Sequence, residues 1–589
     1  MIESKPIRLA RENGEIGSAL PPFPSRTVKS IAAGFFALVL ALVFVLPVVK
    51  LIYLSVHGDM GLTLEHYTEM LRQDRLWKTL KDTFIVVAGS SLVSVILGTA
   101  AAWLIAYTDI KHKNTLHLAL LLPFILPSYV LTLSWSSFMS AQGFVAQALH
   151  WFQPDAKPWS MYSYGGIIFV MGIHHFPLVY LLTVEVLKKI PRDLEWATRA
   201  SGAGRWTTFR LVTLPLSLPG LTAGALLVFL ASLDNFGIPA SLGIPSHISV
   251  LSTLIYEEII GFGPSAFARG AALSVMLGVI AVIGTILQWL SVRKIKAADT
   301  VVSDNSPRYT LGMHRGWMTS AVWAGIAFIT LIPLISMVAI SLKKAYGLPF
   351  QWKNLTWDNY RYILLDNPKV WQSIQTSLLL SVTTFVICLV LGSLLAYARV
   401  RKPSWLTKAA ELAVALPYTL PGIVFGLCMI FAWMEPIPGW NPGIYGSISI
   451  LFIAYTCRFL ILQVRAGITA FTQIDVSLEE AAHSSGAGFW RKWVSVLIPL
   501  LLPGLLSGAF LVFLTAFTEL TVSALLWSTG SQTIGVTIFS FEQAGSTLYS
   551  TALSSLIVVL ILGGMAALQL LQKLQSGKNA QSSKGVQQP

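Results

Sequence analysis

The feature that most limits this chain is a succession of long apolar runs with almost no charge inside them, at 29–56, 83–107, 115–141, 163–187, 211–234 and 267–291, then 317–342, 371–398, 406–434, 444–468, 496–527 and 546–571. Most are about 20 residues or longer, the length that carries an α-helix through the hydrocarbon core of a bilayer. A soluble chain of 589 residues would divide into several domains and cover them with charge, whereas this one is 54% hydrophobic and only 12% charged. The pattern predicts an all-α polytopic membrane protein with about 12 transmembrane helices, in two sets of six around a polar stretch from Arg293 to Arg315.

The net charge of +14 does not point to nucleic acid, because Lys and Arg cluster at the ends of apolar runs and in alternate loops. Lys111, Lys113, Lys188, Lys189, Arg192, Arg199, Arg205, Arg210 and Arg293 fall on one side; Arg399, Arg401, Lys402, Lys408, Arg491 and Lys492 repeat the arrangement. The positive-inside rule makes these loops, the central linker and both termini cytoplasmic. The segment 59–82, with Arg72, Arg75, Lys78 and Lys81, partly dissents. Cys388, Cys428 and Cys457 lie within apolar runs at no metal-ligand spacing and read as small hydrophobes. The first run is too long for a signal-peptide core, so it should remain as a span. The expected organisation is a tail at 1–28, a six-helix half at 29–292, a linker at 293–316, a second half at 317–572 and a tail at 573–589.

The halves are a direct repeat. Leu122-Pro123 and Leu126-Pro127 match Leu416-Pro417 and Leu420-Pro421. In the loop between the fourth and fifth runs of each half the match is tighter. Glu195, Ala197, Ser201, Gly202, Gly204, Pro215 and Pro219 correspond to Glu479, Ala481, Ser485, Gly486, Gly488, Pro499 and Pro503 at a constant offset of 284. Each copy reads as a short helix, a glycine break and a second helix. Asp193 and Asp475 are candidate caps, and Ser477 with Glu480 has capping-box spacing. Small residues permit close approach of a partner, and the glycines permit a sharp turn. An ordinary interfacial amphipathic helix is the plainer alternative for one copy, and much less so for two in register. Two parallel six-helix repeats suit a pathway on a pseudo-two-fold axis.

The loop resembles the EAA motif of the permeases of binding-protein-dependent ABC importers, with Glu479, Glu480, Ala481, Ala482, Gly486 and Gly488 close to the pattern. The first copy departs from it at Trp196 and Thr198. The resemblance implies a type I ABC importer-like fold in a bacterial plasma membrane and a coupling role for both loops. It also implies two copies of a cytoplasmic ATPase as partners and an extracytoplasmic solute-binding protein. The chain has no Gly-x-x-x-x-Gly-Lys-Ser/Thr phosphate loop. Hydrolysis is therefore expected on the separate ATPase, with ATP and Mg bound there, and no enzymatic activity, cofactor or resident metal in this chain. The segments Asp234-Asn-Phe-Gly-Ile-Pro239 and Thr518-Glu519-Leu520-Thr521 are similar to those of ferric-iron-type permeases. Ferric iron is thus the first expectation for cargo, with 2-aminoethylphosphonate, thiamine, polyamine or another small solute as alternatives.

Ionisable residues inside spans mark function by default. His174, His175, Asp234, Asn235, Arg458 and Glu519 are the candidate pathway residues; the offset aligns His174 with Arg458 and Asn235 with Glu519. Each has a second reading: Arg458 and Glu519 neutralising one another, the histidines satisfied within a bundle, Asp234-Asn235 wet at the outer interface. The Leu-Pro pairs indicate kinks, either hinges or static bends. An ion-driven secondary transporter of two parallel repeats would share the topology but would leave the paired loops unexplained. A membrane scaffold would leave the buried charges and Leu-Pro kinks as a cost without benefit.

Overall fold

The computed structural model describes residues 34–58, 61–153, 155–261, 265–296, 306–434 and 443–564. The expected tails, and residues 297–305 of the expected linker, lie outside the described residues. Among the described residues ten helices are long and apolar enough to cross a membrane, and two sharply bent helix pairs bring the count to 12 if each is one span. The first half contains α1 (Gly34–Ser55), α2 (Asp74–Tyr107), the bent pair α3 (Lys113–Ile125) and α4 (Ser128–Phe138), and α5 (Tyr164–Lys189). The short α6 (Arg192–Ala200) follows, then α7 (Arg205–Asp234) and α8 (Ala266–Arg293). The second half repeats the order. It has α9 (Gly312–Ser341), α10 (Pro368–Arg401), the bent pair α11 (Trp405–Thr419) and α12 (Gly422–Trp433), and α13 (Ile448–Thr472). Then come the short α14 (Val476–Ser484), α15 (Trp490–Phe517) and α16 (Thr547–Gly564). The only strands among the described residues are a two-residue pair, His57–Gly58 with Gly61–Leu62.

Helices dominate because a chain in hydrocarbon has no water to satisfy its backbone. Prolines then decide where the helices deform. Pro47, Pro215, Pro333 and Pro499 each follow a wide π-helical turn, at Ala41–Val45, Phe209–Thr213, Ala327–Leu331 and Trp493–Leu497. The carbonyl that a proline ring would strike, four residues back, lies inside that turn, so the wider winding keeps the helix continuous.

The Leu-Pro pairs behave differently. Pro127 and Pro421 push Leu126 and Leu420 into extended backbone (ψ 139° and 143°), and each pair bends there, by 93° and 111°. Of the expected kinks, those at Leu126-Pro127 and Leu420-Pro421 are therefore full breaks, whereas Pro123 and Pro417 lie inside helices.

Within each half the same helices pack together: α2 with α5, α5 with α7 and α2 with α7; then α10 with α13, α13 with α15 and α10 with α15. The first span of each half crosses over. Helix α1 packs on α12 and α9 on α4, so each half's opening span rests on the other half's broken helix. One buried apolar cluster accordingly runs from Phe44 and Leu51 through Leu254 and Leu277 to Phe425, Tyr455 and Ile538.

Candidate functional site

Two regions bring the sequence-predicted residues together: the short helices α6 and α14, and the broken helices.

Helix α14 begins at Asp475, whose side chain accepts a bond from the Ser477 amide (2.9 Å), and this bond holds the exposed carboxyl below its usual range. Ser477 and Glu480 therefore form no capping box, since the cap lies two residues earlier. Helix α6 begins at Pro191 without a side-chain cap. Asp193 is not its cap but sits in the first turn, where it favours the helix dipole. Both helices end on a left-handed glycine, Gly202 (φ 85°) and Gly486 (φ 78°). The closing bonds match too, with the Ala203 amide donating to Thr198 and the Ala487 amide to Ala482. Gly204 and Gly488 have neither a left-handed backbone nor a close neighbour, so the turn itself does not require glycine there.

On each helix one acidic side chain turns inward. Glu479 is buried, accepting from Arg401 Nε at 2.7 Å and Lys492 Nζ at 2.9 Å. Burial pushes its carboxyl up, but the bonds and charges of Lys492 and Arg401 outweigh this and hold it below the usual glutamate range. Glu195 is buried at the equivalent position, with Thr213 Oγ1 at 2.7 Å, Tyr107 Oη at 3.2 Å and Arg308 Nη1 at 2.8 Å. The remaining positions face outward or are half-buried, among them Ala197, Ser201, Glu480, Ala481 and Ala482. Leu194, Trp196 and Trp206 are exposed beside α6, and Leu478 and Trp490 beside α14. Leu194 with Leu478, and Trp206 with Trp490, obey the 284 offset, a signal the loop motif alone did not bring out. Each loop is thus a rigid turn rooted by one carboxylate and presenting apolar side chains outward.

At the broken helices the freed carbonyls find new donors. His174 Nε2–H donates to the Leu126 carbonyl (3.2 Å), and Arg458 Nη1 to the Leu420 carbonyl (3.3 Å). These are the aligned residues doing one backbone task in two halves. His175 instead bonds Ser232 (3.1 Å), which also bonds Ser90 (3.3 Å), and so ties α2, α5 and α7 together.

Arg458 and Glu519 form no ion pair. Arg458 Nη2 meets Asp234 of the other half, at 2.9 and 3.1 Å, and the same carboxylate accepts from the Gly422 amide at the start of α12. Asp234 therefore caps a helix across the pseudo-axis. Its counterpart Thr518 turns back onto its own helix, bonding Leu514, so the cross-link exists once. A side chain at Gly422 would strike Thr521 and Arg458. In the first half the crowding is reversed: Ser128 meets Gly237, leaving one glycine at each crossing. Asn235 and Glu519 both accept a bond from the amide three residues on, Ile238 and Val522. Asp234, Asn235 and Glu519 are all half-buried, whereas His174, His175 and Arg458 are buried. No group of three or more His, Cys, Asp or Glu able to hold a metal ion occurs among the described residues.

The family model for the binding-protein-dependent transport system inner membrane component matches residues 15–297 and 388–578. Among relatives, the ferric transport system permease protein FbpB of Actinobacillus pleuropneumoniae is 26% identical over 553 residues, 90% of this chain and 77% of that protein. The Fe(3+)-transport system permease protein FbpB 2 of Haemophilus influenzae is 22% identical over 514 residues, covering 86% of this chain and 92% of the relative. The molybdenum transport system permease protein ModB of Escherichia coli K12 is 30% identical over 230 residues, only 38% of this chain but 96% of ModB. Two matches to one family model, broken helices repeated in two halves and relatives of both lengths converge. This chain belongs to the binding-protein-dependent transport system inner membrane component family, as a multi-pass inner-membrane permease subunit of an ABC importer with two permease halves fused in one polypeptide.

Proposed function

We propose that the chain is the translocating subunit of an ATP-driven importer for ferric iron. The observation that carries the cargo is the reach of the similarity: relatives named for ferric transport align over 86–90% of this chain, whereas ModB aligns with 38% of it. Helices α6 and α14 are the coupling helices in this reading. Each offers a fixed turn and an exposed Leu-Trp pair to one of two ATPase subunits, where ATP and Mg bind and hydrolysis takes place. Both loops, the linker and the termini lie on the cytoplasmic side, and an extracytoplasmic binding protein delivers cargo to the opposite face.

Between the halves, the half-buried Asp234, Asn235 and Glu519 line the route. His174 and Arg458 hold the breaks open, and the Asp234–Arg458 bond is a latch between the halves. Carboxylate and amide oxygens suit a hard cation in transit. Iron here is cargo, released onward and not retained.

The test is uptake of radiolabelled ferric iron by iron-starved cells with and without the gene, together with capture of an ATPase on the tagged chain. Loss of ferric uptake, and an ATPase recovered with the chain, support the proposal. Intact ferric uptake with loss of molybdate or 2-aminoethylphosphonate uptake would reassign the cargo. Uptake driven by an ion gradient and independent of ATP would overturn the energy source.

A further inference from the structure

In the second half, the anchor of the coupling helix comes from the end of a span. Arg401, the last residue of α10, donates Nε to Glu479 (2.7 Å) and Nη2 to the Ile474 carbonyl (2.8 Å). The matching span α2 has the same length, 34 residues, but ends on Tyr107. A tyrosine hydroxyl can bond Glu195, yet it carries no charge to balance a buried carboxylate and cannot also reach the loop carbonyl.

Both missing functions are supplied by Arg308, from the linker between the halves. Its Nη1 lies 2.8 Å from Glu195 Oε1 and 3.0 Å from Tyr107 Oη, and its Nη2 bonds the carbonyl of Ile190. Ile190 and Ile474 are related by the same 284 offset as Glu195 and Glu479, so Arg308 binds the acceptors equivalent to those of Arg401. The Arg308 side chain is only 5% exposed, and its guanidinium stacks over the Tyr107 ring at 4.4 Å.

The backbone around it is tied down on both sides. The amides of Arg308 and Tyr309 both donate to the Tyr107 carbonyl (2.9 Å each), and Leu311 donates to Asp109 Oδ1 (2.8 Å). From α6 itself, Arg192 Nη2 donates to the carbonyls of Ser306 (2.5 Å) and Pro307 (2.8 Å). Helix α9 begins at Gly312, directly after this strap.

We propose that Arg308 is a positioning residue for the first coupling helix: the inter-half linker delivers in space the guanidinium that a span end delivers in the second half. The proposal rests on the reading of α6 as a coupling helix. It assigns to residues 306–311 a task beyond joining the halves, since the strap makes the seat of α6 depend on where the second half begins.

The experiment uses the full chain in lipid nanodiscs with its co-purifying ATPase. It compares wild type, Arg308→Ala, Arg308→Lys and the double variant Tyr107→Arg with Arg308→Ala. Amide hydrogen exchange of α6 and α14, and ATP hydrolysis by the complex, are read on each. Arg308→Ala should speed exchange in α6 at least tenfold, leave α14 within threefold, and lower hydrolysis several-fold. Arg308→Lys, which keeps the charge but not the fork, should fall between. The double variant should restore both readouts to within about threefold, because an arginine at the end of α2 occupies the place of Arg401. A general structural loss would not be repaired by moving the arginine 201 residues along the chain. Wild-type exchange in Arg308→Ala or Arg308→Lys overturns the proposal, as does failure of Tyr107→Arg to rescue. Faster α6 exchange with unchanged hydrolysis would uphold the anchoring by Arg308 and overturn the coupling role of α6.

Discussion

Replacing Glu479 by Gln isolates the charge of the second loop's root while keeping its shape. The carboxylate accepts at 2.7 Å from Arg401 and at 2.9 Å from Lys492, with the three side chains 10%, 11% and 19% exposed. Gln can still accept one of these bonds through its carbonyl, but its amide group faces the second cation with hydrogens instead of a lone pair. One hydrogen bond to a charged group is therefore lost, worth about 1.5–3 kcal/mol. Since 1.4 kcal/mol is a factor of ten, local opening of α14 should become roughly 10- to 100-fold more frequent. Hydrogen exchange of amides within Leu478–Ser484 measures this, with α6 as internal reference because it shares none of these partners. Acceleration confined to α14 supports the argument. Exchange in α14 within threefold of wild type would refute the view that the ion pairs hold the helix in place.

Other consequences can be read with the same measurements. Glu479 is held below its ordinary value when folded, so its contribution is present above the unfolded glutamate value and lost as pH falls through the folded one. Exchange in α14, corrected for intrinsic rates, should therefore rise below about pH 4. Gly486→Ala forces a Cβ into left-handed backbone at a cost of about 1–2 kcal/mol, whereas Gly488→Ala, with no close neighbour, should change α14 exchange less than twofold. Asp234→Asn leaves Arg458 buried without its counter-charge. The cost should be about 3 kcal/mol, the low end for a broken buried pair because the Asp234 side chain is 40% exposed, and it should appear as a lower unfolding temperature in nanodiscs. Trp206→Ser and Trp490→Ser should weaken retention of the ATPase on the tagged chain, since both rings are exposed.

What the sequence made legible follows from what repeats preserve. The loops keep one offset, so Glu195 with Glu479 and Gly202 with Gly486 could be paired without coordinates, and the left-handed glycines are where the turn was expected. Repeat logic aligns equivalent positions, however, and not touching ones. It set His174 beside Arg458, which do share a task, but gave no sign that Arg458 meets Asp234, 224 residues earlier and in the other half. The Leu-Pro pairs announced bends; the angles depend on which distant donor takes the freed carbonyl, and this is a tertiary fact. Asp475 caps α14 as expected, whereas Asp193 and the Ser477-Glu480 box fail for a local reason. Asp193 follows a proline that already starts the helix, and Ser477 competes with an aspartate two residues closer to the end.

The two anchors also reverse an expectation. The second loop keeps the family pattern more closely, and by that measure alone it is the one that should tolerate change least. At the level of single partners the structure argues the opposite. Glu479 has two cations, so Arg401→Ala leaves Lys492 in place at 2.9 Å, and the loss should be about 1–2 kcal/mol. Glu195 pairs with one cation among the described residues, Arg308, and its other partners, Tyr107 and Thr213, are neutral. Arg308→Ala strands a buried carboxylate, a loss of about 3–5 kcal/mol. The first coupling helix, less typical in sequence, should therefore be the one more easily unseated by losing a single arginine. Exchange measured side by side on Arg308→Ala and Arg401→Ala decides it: equal or larger acceleration in α14 would show that neutral hydroxyls suffice to hold Glu195.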